Sequence, residues 1–167
     1  ISFQYDLTKY LKSGEENVIA VRVDNSLQPN SRWYTGSGIY RNVKLITTGK
    51  THVKYLGYSI TTPLIDSSKA SIDIEMDIIS FSNEKSQIEV LTKIYNQEVK
   101  VAEAILKDIS LSDSEEKVSQ VVTVYNPVLW SLENPFLYKA KTEIYIDGEL
   151  SDTYESYFGI RSFKFDI

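Results

Sequence analysis

Arg32, Trp33 and Tyr34 stand side by side in the segment Asn25-Ser26-Leu27-Gln28-Pro29-Asn30-Ser31-Arg32-Trp33-Tyr34-Thr35-Gly36-Ser37-Gly38-Ile39-Tyr40-Arg41. A guanidinium beside two large aromatic rings, on a loop held by a strand at each end, suits recognition of a sugar. The apolar face of a pyranose ring lies on an aromatic plane, while guanidinium and amide groups bond the hydroxyls. Packing of Trp33 and Tyr34 beneath the loop, or against a neighbouring domain, accounts for the same residues equally well.

The other chemistry-bearing residues lead nowhere comparable. Acid-base cleavage of a glycosidic bond needs two carboxyl groups facing each other, one of them with a raised pKa. The chain has 23 Asp and Glu. They fall mostly on outward strand positions (Asp73, Glu75, Asp77) or in the polar turn Asp113-Ser114-Glu115-Glu116, where they keep the surface solvated. No catalytic residue is assigned. His52 is the single histidine; with no acid beside it in sequence, it is read as a surface or hinge residue. Gly36-Ser37-Gly38 is too short for a phosphate loop and leads into a strand, not a helix. The acidic turn lacks the spacing and the glycine of a calcium loop. Zero cysteines exclude disulfides, thiolate metal sites and a cysteine nucleophile. No metal and no cofactor are implied.

Composition bounds the partners. With 18 Lys and Arg against 23 acids the net charge is −5, which repels nucleic acid, and no basic block offsets it. No apolar run approaches the roughly 20 residues needed to span a bilayer. At 42% hydrophobic and 25% charged residues the chain is globular. Its 167 residues make one ordinary domain or two small ones. The 12 tyrosines tilt it toward β structure.

Those residues must be positioned by strands. Ala70, Ile72, Ile74, Met76 and Ile78 alternate with Ser71, Asp73, Glu75 and Asp77, the pattern of a half-buried antiparallel strand. Similar runs are expected at Val18–Val23, Ile39–Thr47, His52–Thr61, Ile88–Asn96, Val99–Ile109, Val118–Tyr125, Leu137–Ile146 and Leu150–Phe158. Turn signals separate them at Lys12-Ser13-Gly14, Ser67-Ser68, Ser82-Asn83, Ser112-Asp113-Ser114 and Asp147-Gly148, the last a strong hairpin signal. Helix is limited to one turn around Asp6–Leu11, capped by Asp6.

Seven strands from residue 50 to 158 predict an all-β fold, an immunoglobulin-like antiparallel β-sandwich without the antibody disulfide. Residues 1–48 read as two strands around a long loop, and two strands cannot bury a core unaided. The boundary falls near Thr48-Gly49-Lys50. Both termini are strand-like where natural ends are polar and frayed, so the sequence is expected to be an excerpt of a longer polypeptide.

Three ordered stretches carry a resemblance. Asp6-Leu7-Thr8-Lys9-Tyr10-Leu11 followed by Gly14–Asn25 and Ser31–Arg41, then Leu129-Trp130-Ser131-Leu132-Glu133-Asn134-Pro135-Phe136-Leu137-Tyr138, then Phe158-Gly159-Ile160-Arg161, together resemble glycoside hydrolase family 2, bacterial β-galactosidases in particular. The resemblance implies a jelly-roll sugar-binding domain, an immunoglobulin-like sandwich and a (β/α)₈ barrel in that order, the barrel acting with retention through two glutamates. Residues 1–48 would be the end of the jelly-roll, 49–158 the sandwich, and 159–167 the start of the connection to the barrel. The segment would be inert alone. Its partners would be the rest of the jelly-roll and the barrel of the same chain, with a carbohydrate as the parent's substrate and a homo-oligomer left open. The parent would be bacterial, periplasmic or cytoplasmic.

The resemblance also implies that the loop at Ser31–Ser37 reaches toward the sugar, with Arg32 at a position where several members carry an acid. Arg32, Trp33 and Tyr34 are therefore the candidate substrate-binding residues. Arg41 is expected in a structural ion pair, Trp130 in packing, Asn134-Pro135 in a turn, and Arg161 in docking the sandwich to the barrel. A free-standing carbohydrate-binding or adhesion sandwich is the competing reading.

Overall fold

A computed structural model of the chain describes residues 4–24, 26, 38–81, 87–110 and 114–163. The chain falls into two compact units, Ile1–Leu45 and Ile46–Ile167.

In the first unit the expected turn is a single 3₁₀ turn at Thr8–Tyr10. The Thr8 amide donates to Asp6 Oδ1 at 2.8 Å, and hydrogen bonds from the Thr8 hydroxyl and amide hold the Asp6 carboxyl below its ordinary range. The turn at Lys12-Ser13-Gly14 is closed by Asn17, whose Oδ1 accepts from the Lys12 amide and whose Nδ2 donates to the Lys12 carbonyl. Gly14 has φ +77, a left-handed geometry that suits glycine. Among the described residues of Val18–Val23 and Ile39–Thr47, no strand forms. This corrects the expectation for those runs. Alternation marks a chain able to pair, but a strand exists only against a partner. Val18 is 83% exposed and Val43 78%.

The second unit is the sandwich. Its strands are β1 (Thr51–Ile65), β2 (Lys69–Ser80), β3 (Ile88–Asn96), β4 (Val99–Ile109), β5 (Glu115–Tyr125), β6 (Tyr138–Ile146) and β7 (Glu149–Phe158). They form a three-stranded sheet in the order β1-β2-β5 and a four-stranded sheet in the order β4-β3-β6-β7. Every neighbouring pair is antiparallel. If the strands are lettered A to G, the antibody constant domain would place the fourth on the sheet of the fifth. Here β4 joins β3 instead.

Alternation explains the core. On β2 the five apolar residues at alternate positions from Ala70 to Ile78 are at most 1% exposed. Across the gap they meet Ile88, Val90 and Ile94 of β3 and Ala140 and Ile144 of β6 in one buried cluster. Each buried Ile, Val and Met side chain among them contributes about 1.5–3 kcal/mol by leaving water. Tyr138, at the start of β6, is 1% exposed. Its phenol oxygen accepts the Val128 amide at 2.8 Å, and its ring lies between Phe136 and Phe158. The phenol thereby ties the β5–β6 connection to the start of β6.

The turns follow local chemistry. Asp147 and Gly148 both have positive φ, +49 and +84, as a two-residue type I′ hairpin demands. The β3–β4 hairpin uses Gln97 at φ +54. In β1 the register jumps between Val53, opposite Ile78, and Tyr58, opposite Met76. The extra residues bulge out and place Leu56 at φ +62, 83% exposed.

Candidate functional site

Arg32, Trp33 and Tyr34 lie outside the described residues. Arg41, which closes their segment, makes no ion pair among the described residues; its guanidinium stands 5.6 Å from the ring centroid of Tyr40. The other sequence-selected residues meet at the end of the sandwich where the chain leaves β7.

Trp130 and Arg161 are brought together there. The Trp130 amide donates to the Ile160 carbonyl at 2.8 Å, which aligns the segment before β6 with the segment after β7. The bond sets the Arg161 guanidinium over the indole at 4.9 Å, with the Phe163 ring 5.9 Å away. A cation held on an aromatic face keeps its N–H edge free for a carboxylate or a carbonyl. Arg161 is exposed, and with Thr61, Thr62, Pro63, Ser162 and Phe163 it lines a shallow groove. Asn134 and Pro135 form the turn leading to β6. The Asn134 carbonyl accepts from the Ser131 and Phe136 amides at 2.9 and 2.8 Å, and Ser131 Oγ accepts the Asn134 amide. The fixed φ of Pro135 suits the three-residue turn it centres.

Sequence reasoning missed two groupings. On the outward face of the four-stranded sheet, Glu143 is only 6% exposed. Its carboxylate accepts from Lys141 Nζ at 2.8 Å, Lys93 Nζ at 2.9 Å and the Tyr145 hydroxyl at 3.0 Å. Hydrogen bonds from the two ammonium groups hold the Glu143 carboxyl down at about 2. Register produces the cluster, because Lys93 pairs with Lys141 across β3 and β6. The strands reveal which face each residue takes, but not which residues sit opposite.

The second grouping is at the single histidine. His52 Nδ1 lies 2.8 Å from the Gly49 carbonyl, and its ring centroid is 6.1 Å from that of Phe81. Asp152 of β7, remote in sequence, shares this site. Burial raises its carboxyl, opposed by amide hydrogen bonds from Thr153, Gly49 and Val53 and by the charge of His52. This is one histidine beside one acid. A nucleophilic triad also needs a hydroxyl held at the histidine's other nitrogen. No cluster of three or more metal-ligating side chains occurs among the described residues.

Two antiparallel sheets around one core, with an arginine stacked on an indole at the end where β7 finishes, define a β-sandwich module. The family to which it belongs is glycosyl hydrolases family 2, whose sequence profile matches residues 51–161. The β-galactosidase BoGH2A of Bacteroides ovatus is 41% identical over 99% of this chain, which covers 20% of that protein. A β-glucuronidase of Formosa agariphila is 33% identical over 99% of this chain, with 19% of its own length covered. A crystal structure of a family 2 member from Bacteroides cellulosilyticus superposes on 96% of this chain with TM-score 0.85 and 31% identity, and the chain covers 22% of it. The chain thus spans about a fifth of the length of these relatives.

Proposed function

We propose that this chain is a non-catalytic spacer of a retaining glycosidase that hydrolyses terminal β-linked sugars, a β-galactosidase by preference. Residues 49–158 are the spacer, 1–48 the end of a jelly-roll sugar-binding domain and 159–167 the start of the connection to a catalytic barrel. Arg32, Trp33 and Tyr34 present a sugar-facing loop to the parent's pocket. Trp130 and Arg161 dock the sandwich on the barrel through the stacked guanidinium, Asn134 and Pro135 shape the approach, and Arg41 supports the jelly-roll side.

The observation that carries this reading is one of extent. Relatives named as β-galactosidase and β-glucuronidase align with almost all of this chain, yet only about a fifth of each is matched. A β-galactosidase at 41% identity and a putative β-glucuronidase at 40% stand side by side, so a β-glucuronidase is the nearest alternative parent.

The test is hydrolysis of nitrophenyl β-galactoside by the 167-residue chain and by the complete gene product. The expected result is turnover by the complete product and none above a blank by the chain. Turnover by the chain that disappears when one of its own acids is replaced would overturn the proposal.

A further inference from the structure

The sandwich core contains a chain of hydroxyl hydrogen bonds whose direction is fixed. Gln120 Nε2 donates to the Val90 carbonyl at 2.9 Å and faces the Ala104 carbonyl at 3.5 Å. Two carbonyls on that side require the amide nitrogen there, so Oε1 points the other way and accepts from Thr92 Oγ1 at 2.6 Å. A threonine hydroxyl has one proton. Thr92 has spent it, so the 2.8 Å contact between Thr92 and Thr142 is donated by Thr142. By the same count, the 2.8 Å contact between Tyr58 and Thr142 is donated by the phenol. The sequence Tyr58 to Thr142 to Thr92 to Gln120 therefore runs one way, from β1 to β6 to β3 to β5. It crosses between the sheets at Tyr58 and again at Gln120. Thr92 and Thr142 are fully buried, and Gln120 is 5% exposed.

The topology gives this chain a consequence. The polypeptide reaches the sandwich on β1, in the three-stranded sheet, and leaves it from β7, in the four-stranded sheet. β1 and β7 share no backbone ladder. Among the described residues they meet through side chains: Ser151 Oγ donates to the Thr51 carbonyl at 2.9 Å, the Asp152 carboxyl accepts the Val53 amide, the Tyr58 and Tyr154 rings stand 4.7 Å apart, and just past β7 the Arg161 carbonyl accepts from Thr62 Oγ1 at 3.1 Å. Apolar contact between two sheets is non-directional and resists sliding weakly, whereas hydrogen bonds tolerate little misalignment. Tyr58 belongs to both sets of contacts.

We propose that Tyr58 is a positioning residue, the head of an inter-sheet lock that fixes the first strand of the sandwich against the last. The lock makes the two sheets one rigid body and sets where the following segment leaves relative to where the preceding one arrives. This goes beyond the spacer reading, and its test involves no activity, so either can fail without the other.

The chain has no cysteine, which makes spin labelling clean. Nitroxides on Lys50→Cys and Ser162→Cys bracket the sandwich, and pulsed dipolar spectroscopy reads the distribution of distances between them. Thr142→Val keeps the shape and removes the hydroxyl; Thr142→Ser keeps the hydroxyl and removes a methyl. The lock requires the distribution to broaden by about twofold in Thr142→Val and to keep its width in Thr142→Ser. An unchanged width in Thr142→Val, or greater broadening in Thr142→Ser, overturns it. Should Thr142→Val fail to fold, Tyr58→Phe retains the ring on Tyr154, drops only the first donor, and is read by the same criterion.

Discussion

The Trp130 side chain lies so close over Gly159 that a Cβ at residue 159 would stand 2.9 Å from three of its atoms. The chain leaving β7 can pass beneath the indole only as bare backbone, and that passage sets the Arg161 guanidinium over the same ring.

Gly159→Ala is therefore expected to destabilise the sandwich by about 1–3 kcal/mol, the usual range for forcing an extra carbon into a packed site. Urea denaturation of the variant checks it. A midpoint equal to that of the parent chain would mean that Trp130 swings away without loss, and the Trp130–Arg161 pairing would not be preformed.

Glu143 predicts a pH dependence. Its carboxyl is lowered from an ordinary 4.5 to about 2, so the unfolded chain takes up its proton first as pH falls. The stability it supplies is complete above about 4.5 and disappears as pH falls through about 2. Glu143→Gln should cost about 1–3 kcal/mol near neutral pH by leaving Lys93 and Lys141 without their carboxylate, and the gap from the parent should close toward pH 2. Denaturation midpoints of both proteins across that range test it; a gap independent of pH would show that the ion cluster adds nothing.

Amide exchange should divide the chain. Val18–Val23 forms no ladder and is expected to exchange at nearly unprotected rates, while the inward-facing residues of β2 and β3 exchange only on global unfolding. Protection of Val18–Val23 comparable to that of Ile72 and Ile74, in a monomer, would contradict the structure at its amino-terminal end.

The sandwich was legible because one face of each strand is wet. The alternation in β2 names its buried residues one by one, and the runs expected at Ile88–Asn96 and Val99–Ile109 coincide with β3 and β4. Hidden from the sequence were features that depend on neighbours. The β3–β4 turn escapes notice because Gln97 takes a left-handed φ without glycine, and in Lys54-Tyr55-Leu56-Gly57 the one mark of the β1 bulge is Gly57, a residue that weakens a strand without fixing where its register shifts. Gln120 was a readable signal left unread, a polar residue on the inward face between Val118 and Val122. The outward Glu143 looked like any solvated acid until register set Lys93 beside Lys141. Of the candidate site, the Trp130–Arg161 end is assembled as a unit, while the Arg32–Tyr34 loop lies outside the described residues.

The pairing of β2 with β5 has a kinetic consequence. Three hairpins, β1–β2, β3–β4 and β6–β7, zip between strands adjacent in the chain, but β5 has no such neighbour and must find β2 across the whole β3–β4 excursion. Closing that loop costs entropy before any contact repays it, so β5 is expected to arrive late, after the hairpins have formed. Val122→Ala should then speed unfolding while leaving the refolding rate nearly untouched; slowed refolding in stopped-flow traces would place β5 in the nucleus instead.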